Sequence, residues 1–175
     1  MILHLIRNYR EIYPDIQGRE LTDALICRIT GKSCMPVLRD EKGKPRLSSE
    51  GTFISVSHSN STFALLVAEE NVGMDIQYGR SVSLEKIAGR YFTPEEKAYV
   101  EESGEEAFFR FWARKEAFAK YTGAGMEQIM SGEGVLGRKD VIFHDMMPEE
   151  GLYCSVCCAA GGKEEEIEIH ISHGE

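Results

Sequence analysis

At 175 residues the chain is long enough for one domain or for two small lobes sharing a core, and too short for two large independent domains. A composition of 42% hydrophobic and 28% charged residues belongs to a folded globular protein and excludes a wholly disordered one. The net charge of −9 makes a poor general binder of nucleic acid, whose phosphates need Lys and Arg, but it leaves room for a local basic pocket around a phosphorylated cofactor.

In chain order, Ile2–Ile6 reads as a first strand. It is too short for a signal-peptide core, and no apolar run approaches the ~20 residues of a membrane span, so a cytoplasmic protein is expected. Gly18 to Thr30 reads as a helix, with Leu21, Ala24, Leu25 and Ile29 on one face and Gly31 as its stop. Asp40 to Pro45 is turn-like. The β-branched and aromatic runs Phe53–Ser57, Thr62–Ala68 and Val72–Ile76 follow as strands separated by polar turns. Thr93-Pro94-Glu95-Glu96 is a capping box with proline at the first helical position, opening a helix towards Val100. A longer helix runs from about Glu105 to Tyr121, closed by Gly123. Strands near Val141–Phe143, Leu152–Ala159 and Ile167–Ile171 complete the chain. Helices and strands are mixed without regular alternation, which is the α+β class.

The cysteines, Cys27, Cys34, Cys154, Cys157 and Cys158, are odd in number, unlike the framework of a secreted disulfide scaffold. Cys154-x-x-Cys157-Cys158 has the spacing of a metal or redox motif, but it lies in a strand-like run where Cys acts as a small hydrophobe. No second cysteine pair follows, and the structural reading is preferred. The acidic runs Glu101–Glu106, Glu149–Glu150 and Glu164–Glu168 read as solvated faces or turns.

Polar side chains stand in three places where a plain core or surface would not ask for them. Asp75 interrupts an apolar strand and shares a face with Gly73 and Gln77 by the period-two rule, so a carboxylate and an amide oxygen can both reach a hard cation. A strand-end Asp that caps a turn is the competing reading. Phe108, Trp112, Glu116 and Lys120 fall at i+4 steps on one helix, a stripe that starts aromatic and ends with an acid and an amine. An exposed Glu–Lys pair is the plain alternative there. Ser55-Val56-Ser57-His58-Ser59 crowds hydroxyls and an imidazole at a strand end, suited to phosphate oxygens; a hydrolase triad would want a G-x-S-x-G elbow, which is absent.

Taken in order, Gly43-Lys44-Pro45, Ser57-His58-Ser59, Val72-Gly73-Met74-Asp75-Ile76 and Trp112-Ala113-Arg114-Lys115-Glu116-Ala117-Phe118-Ala119-Lys120 resemble the surfactin-synthetase type of 4′-phosphopantetheinyl transferase. Its signature blocks look like G-[IV]-D-x-E and W-x-x-K-E-[AS]-x-x-K, and Ile87 to Glu96 is similar to the segment between them. The likeness runs roughly from Lys42 to Met126, with Trp112 and Lys115-Glu116-Ala117 in the Trp/Lys-Glu-Ala form.

The resemblance implies a fold of two similar α/β lobes related by a pseudo-two-fold axis, here residues 1–71 and 72–175, the second carrying the metal site. It implies a holo-[acyl-carrier-protein] synthase type of enzyme. Such an enzyme moves 4′-phosphopantetheine from coenzyme A to a serine of an apo acyl or peptidyl carrier protein and releases adenosine 3′,5′-bisphosphate. Asp75, Gln77 and Glu116 would hold Mg²⁺; Glu116 would take the serine proton; Lys120 would sit on the pyrophosphate; Ser57 and His58 would contact coenzyme A phosphates, His58 also acting in catalysis; Lys44 would lie near the adenosine end. A cytoplasmic monomer with no nucleic-acid or membrane partner is expected. Gln77 departs from the pattern, which has a third acid there. The chain is also shorter before Lys44 than is usual, so the resemblance does not assign the basic contacts normally found there; Arg19 and Arg28 are the candidates by position on a helix. A non-catalytic module that binds coenzyme A or a carrier protein is the rival reading. An ATP-dependent phosphotransferase would want a G-x-x-x-x-G-K-[ST] loop, which the chain lacks.

Overall fold

The computed structural model describes residues 1–31, 37–79, 83–162 and 166–173. Cys34, one of the cysteines weighed above, lies outside them. The chain divides into two compact units: Met1–Glu70 with Glu164–Glu175, and Asn71–Lys163, each taken over its described residues. Among the described residues no helix is long and apolar enough to cross a membrane.

The first unit is built on strands β1 (Ile2–Arg7), β4 (Phe53–Ser59), β5 (Thr62–Ala68) and β9 (Glu168–His173), in the order β4-β5-β1-β9. β5 runs antiparallel to both β4 and β1, and Asn60 takes a left-handed conformation in the tight turn between β4 and β5. β9 is parallel to β1, setting Ile169 beside Leu3 and Ile171 beside Leu5. The expected second lobe, residues 72–175, includes this last strand; its main-chain pairing is with β1. Helix α1 (Tyr9–Ile12) is short, and α2 (Gly18–Thr30) has the bounds its periodicity predicts, with Gly31 left-handed at its end. Leu21, Leu25 and Ile26 of α2 are buried with Ile6, Phe63 and Leu65 of the sheet. The turn expected at Asp40 to Pro45 is the tip of a hairpin, β2 (Val37–Arg39) with β3 (Pro45–Leu47), where Asp40 Oδ1 accepts from the Lys44 amide at 2.9 Å.

The second unit is a three-stranded antiparallel sheet, β6 (Gly73–Tyr78), β8 (Leu152–Ala159) and β7 (Val141–Glu149), in the order β6-β8-β7. Helices α3 (Leu84–Tyr91), α4 (Pro94–Ser103), α5 (Glu105–Thr122) and α6 (Met126–Met130) complete it. Phe108, Phe109, Phe111, Ala117 and Phe118 of α5 fill its core with Phe92, Val100, Val141 and Cys157. The capping box at Thr93 is formed in both directions, and Gly123 ends α5 in a left-handed conformation. β7 runs well past Phe143, through a register shift between Met146 and Glu149 where Pro148, without an N–H, sits in the irregular stretch. Cys154 and Cys157 are buried within β8 and Cys158 is half-buried; none of the three is in a disulfide.

Candidate active site

The site in the second unit begins with Gly73. A Cβ there would overlap the carbonyl oxygen of Ala117 and the amide nitrogen of Tyr121, with the Tyr121 Cα at 2.9 Å. Those are main-chain atoms of α5, and no rotamer change moves them aside. Glycine is therefore what lets β6 lie directly against the last turns of α5, and this close approach brings the polar residues of the two elements together.

Two positions along β6, Asp75 is 7% exposed and accepts a hydrogen bond from Lys120 Nζ at Oδ1, 2.7 Å away. Lys120 thus reaches across to the strand, and neither it nor Glu116 on the same helix stripe is fully exposed. Glu116, one turn earlier and half-buried, has its carboxyl pushed up from 4.5 to about 7. Burial is the main cause; the charge of Asp75 adds to it, and Lys120 partly offsets it. Excess negative charge is therefore held in a half-buried place, and an added cation would relieve it. Gln77 shares the Asp75 face and is half-buried, its side-chain N–H donating to the Tyr78 carbonyl at 2.9 Å.

Among the described residues no group of three or more His, Cys, Asp or Glu side chains could hold a metal ion. Asp75 and Glu116 are only two acids, too few for an all-protein cage. They do fit Mg²⁺, which keeps water and commonly takes one or two carboxylates plus substrate phosphates.

Neighbouring side chains brace this arrangement. Asp75, Ser155 and Asp145 lie in register across the three strands. The Ser155 hydroxyl donates to Asp145 at 2.9 Å, and Arg114 of α5 grips the same carboxylate through Nε and Nη2, the latter at 2.6 Å. Lys115, part of the W-x-x-K-E-A motif, is 2% exposed and forms an ion pair with the fully buried Glu96 at 2.9 Å. Its placement was legible in principle: Phe111, Lys115 and Phe118 lie at i, i+4 and i+7, and a lysine in an apolar stripe has to find a partner.

Ser57, His58 and Lys44 belong to the first unit. Ser57 is buried, and His58 is exposed and stacked on Tyr9 at 6.4 Å between ring centroids. His58 lines a cavity of about 320 Å³ together with Arg10, Gln17, Gly18 and Thr22. Lys44 is half-buried in the β2–β3 turn, and the Arg19 guanidinium lies 3.9 Å from where a Cβ on Gly43 would stand. Arg28 is exposed on α2.

Residues 71–145 match the sequence model of the 4′-phosphopantetheinyl transferase superfamily. The stretch contains Asp75, Gln77, Glu116 and Lys120, whereas Lys44, Ser57 and His58 precede it. The chain is 33% identical over 100 residues to the 4′-phosphopantetheinyl transferase HetI of Nostoc sp. (strain PCC 7120), covering 51% of this chain and 42% of that protein. It is 38% identical over 104 residues to the 4′-phosphopantetheinyl transferase AcpT of Salmonella typhi, covering 55% and 54%. With AcpT of Escherichia coli K12 the identity is 30% over 128 residues, 69% of this chain and 65% of the relative. The chain thus spans about half the length of the first two relatives.

Proposed function

We propose that the protein transfers 4′-phosphopantetheine from coenzyme A to a serine of an apo acyl or peptidyl carrier protein, releasing adenosine 3′,5′-bisphosphate, as a surfactin-type enzyme with holo-[acyl-carrier-protein] synthase activity. The observation that carries this reading is the meeting of Asp75, Glu116 and Lys120 on β6 and α5, inside the stretch that matches the superfamily.

In this reading the serine oxygen forms a new bond to the phosphorus next to the pantetheine, and the bond from that phosphorus to the bridging pyrophosphate oxygen breaks. Glu116 takes the serine proton from its half-buried place near Asp75 and Lys120. Lys120, already aimed at this place by its bond to Asp75, meets the pyrophosphate and the charge left on the departing bisphosphate. Asp75, Glu116 and the Gln77 carbonyl oxygen would hold Mg²⁺, which when bound offsets charge on the pyrophosphate. His58 and Ser57 contact coenzyme A phosphates, and Lys44, with Arg19 beside its turn, meets the adenosine end. The two compact units are taken as the two lobes that the resemblance implies.

The test is intact-mass analysis of a panel of apo-carriers incubated with the protein, coenzyme A and Mg²⁺. A gain of one phosphopantetheine on at least one carrier, lost on omitting coenzyme A or the metal, is the expected result. Measurable coenzyme A binding with no gain on any carrier favours the non-catalytic binding module instead.

A further inference from the structure

Glu96 is fully buried, and both of its oxygens are engaged. Oε1 accepts from the Val135 amide at 2.6 Å and the Leu136 amide at 3.3 Å. Oε2 accepts from the Thr93 amide at 3.0 Å, closing the capping box of α4, and pairs with Lys115 Nζ at 2.9 Å. The same ammonium donates to the Glu133 carbonyl at 2.6 Å and lies 5.5 Å from the centre of the Phe92 ring. Gly134 has no side chain to spare in this knot: a Cβ there would stand 2.9 Å from Thr93 Cγ2 and 3.5 Å from Glu96 Oε1. One carboxylate and one ammonium therefore join the start of α4, the middle of α5 and the segment after α6.

A surface ion pair would tolerate a range of helix positions, but this one does not. Its charges are out of water, and each is satisfied only where all its partners meet it at once. Lys115 immediately precedes Glu116, and neighbouring residues of an α-helix project about 100° apart. Holding Lys115 on the Glu96 side thus fixes the direction in which Glu116 projects. On its other side α5 is seated against the bare backbone of Gly73, so the helix is held at two points around its axis.

We propose that the Glu96–Lys115 pair is a positioning device for the transfer reaction: it sets the rotation of α5 about its axis and so aims Glu116 at Asp75. This rests on the transfer reading above. Neither residue is assigned contact with coenzyme A or the carrier serine; both act through Glu116. Displacing a reacting group by ~1 Å is enough to cost on the order of 10²-fold in rate.

The test compares wild type with Lys115→Met, which keeps the unbranched chain but drops the ammonium, and with Glu96→Gln/Lys115→Met, which leaves no unpaired buried charge and stands in if the single variant does not fold. Steady-state transfer is measured well below each melting temperature, and the backbone amide resonances of Gly73, Asp75, Ala117 and Tyr121 are recorded in the same samples. A folded variant should lose at least tenfold in kcat while KM for coenzyme A stays within about twofold, and the Gly73 and Tyr121 amides should shift. The proposal is overturned by a folded variant with wild-type kcat, or by a loss of rate with those amides unmoved, since a pair that only stabilises changes the melting temperature and nothing else. Should the wild type itself transfer nothing, the functional reading fails, and the amide shifts alone decide whether the pair sets the position of α5.

Discussion

Glu116 is the side chain in which environment and chemistry are most tightly coupled. Its carboxyl is raised to about 7 by burial and by Asp75, against the pull of Lys120, so without a cation the folded protein prefers it protonated. The stability this gives is fully present below 4.5, its unfolded value, and is lost as pH rises through about 7. Denaturant unfolding of the metal-free protein at pH 5 and pH 8 should therefore show a loss of up to about 3 kcal/mol from this group, and Glu116→Gln should flatten most of it. A slope unchanged by Glu116→Gln would mean that another group sets it. Because proton and cation compete for the same oxygens, Mg²⁺ affinity should climb with pH up to about 7 and then level off. Gln77 provides the complementary test. At an effective dielectric of about 20, a unit charge ~4 Å from another is worth up to about 4 kcal/mol before desolvation, and a third of that is tenfold in affinity. Gln77→Glu should therefore lower the Mg²⁺ concentration for half-maximal transfer by about tenfold. An unmoved titration curve would place the Gln77 side chain outside the metal's ligands.

At the level of elements, the contact between β6 and α5 makes the site. Gly73→Ala should destabilise the protein by more than the ~1–3 kcal/mol usual for overpacking, because the overlap is with main chain. Whatever folds should show kcat reduced more than KM for coenzyme A. A variant that melts and turns over like wild type would show that strand and helix are not in such close contact. These elements were the most legible part of the sequence. α2 and α5 carry strong periodicity, β5 and β8 are short, largely apolar runs, and Thr93 and Gly123 mark helix ends by chemistry that acts within a few residues. What was missed has short-range reasons. β2 and β3 are three residues each, and one of them opens with proline. α3 carries Gly89 within its eight residues, and α6 is only five residues long. Beyond Phe143, β7 has exposed and half-buried polar side chains whose partners lie on β8, out of reach of any local pattern.

Over the whole molecule, long-range pairing is what the sequence hid. Nothing in Ile167–Ile171 announces a partner at the other end of the chain, yet β9 runs beside β1, and the Met1 ammonium donates to the Glu166 carbonyl at 3.1 Å. The motif residues were legible because their spacing is local, but their division of labour was not. Lys115 and Glu116 are adjacent in the motif; one is sealed against Glu96, and the other is half-buried and feels the charge of Asp75. The claim that Asp75, Glu116 and Lys120 form a transfer site is tested most directly by weighing one responsive carrier after incubation with coenzyme A and Mg²⁺, using wild type and Glu116→Gln side by side. One added phosphopantetheine is expected with wild type, and a rate at least ~10²-fold lower with Glu116→Gln. Equal rates of transfer by the two proteins would contradict that claim.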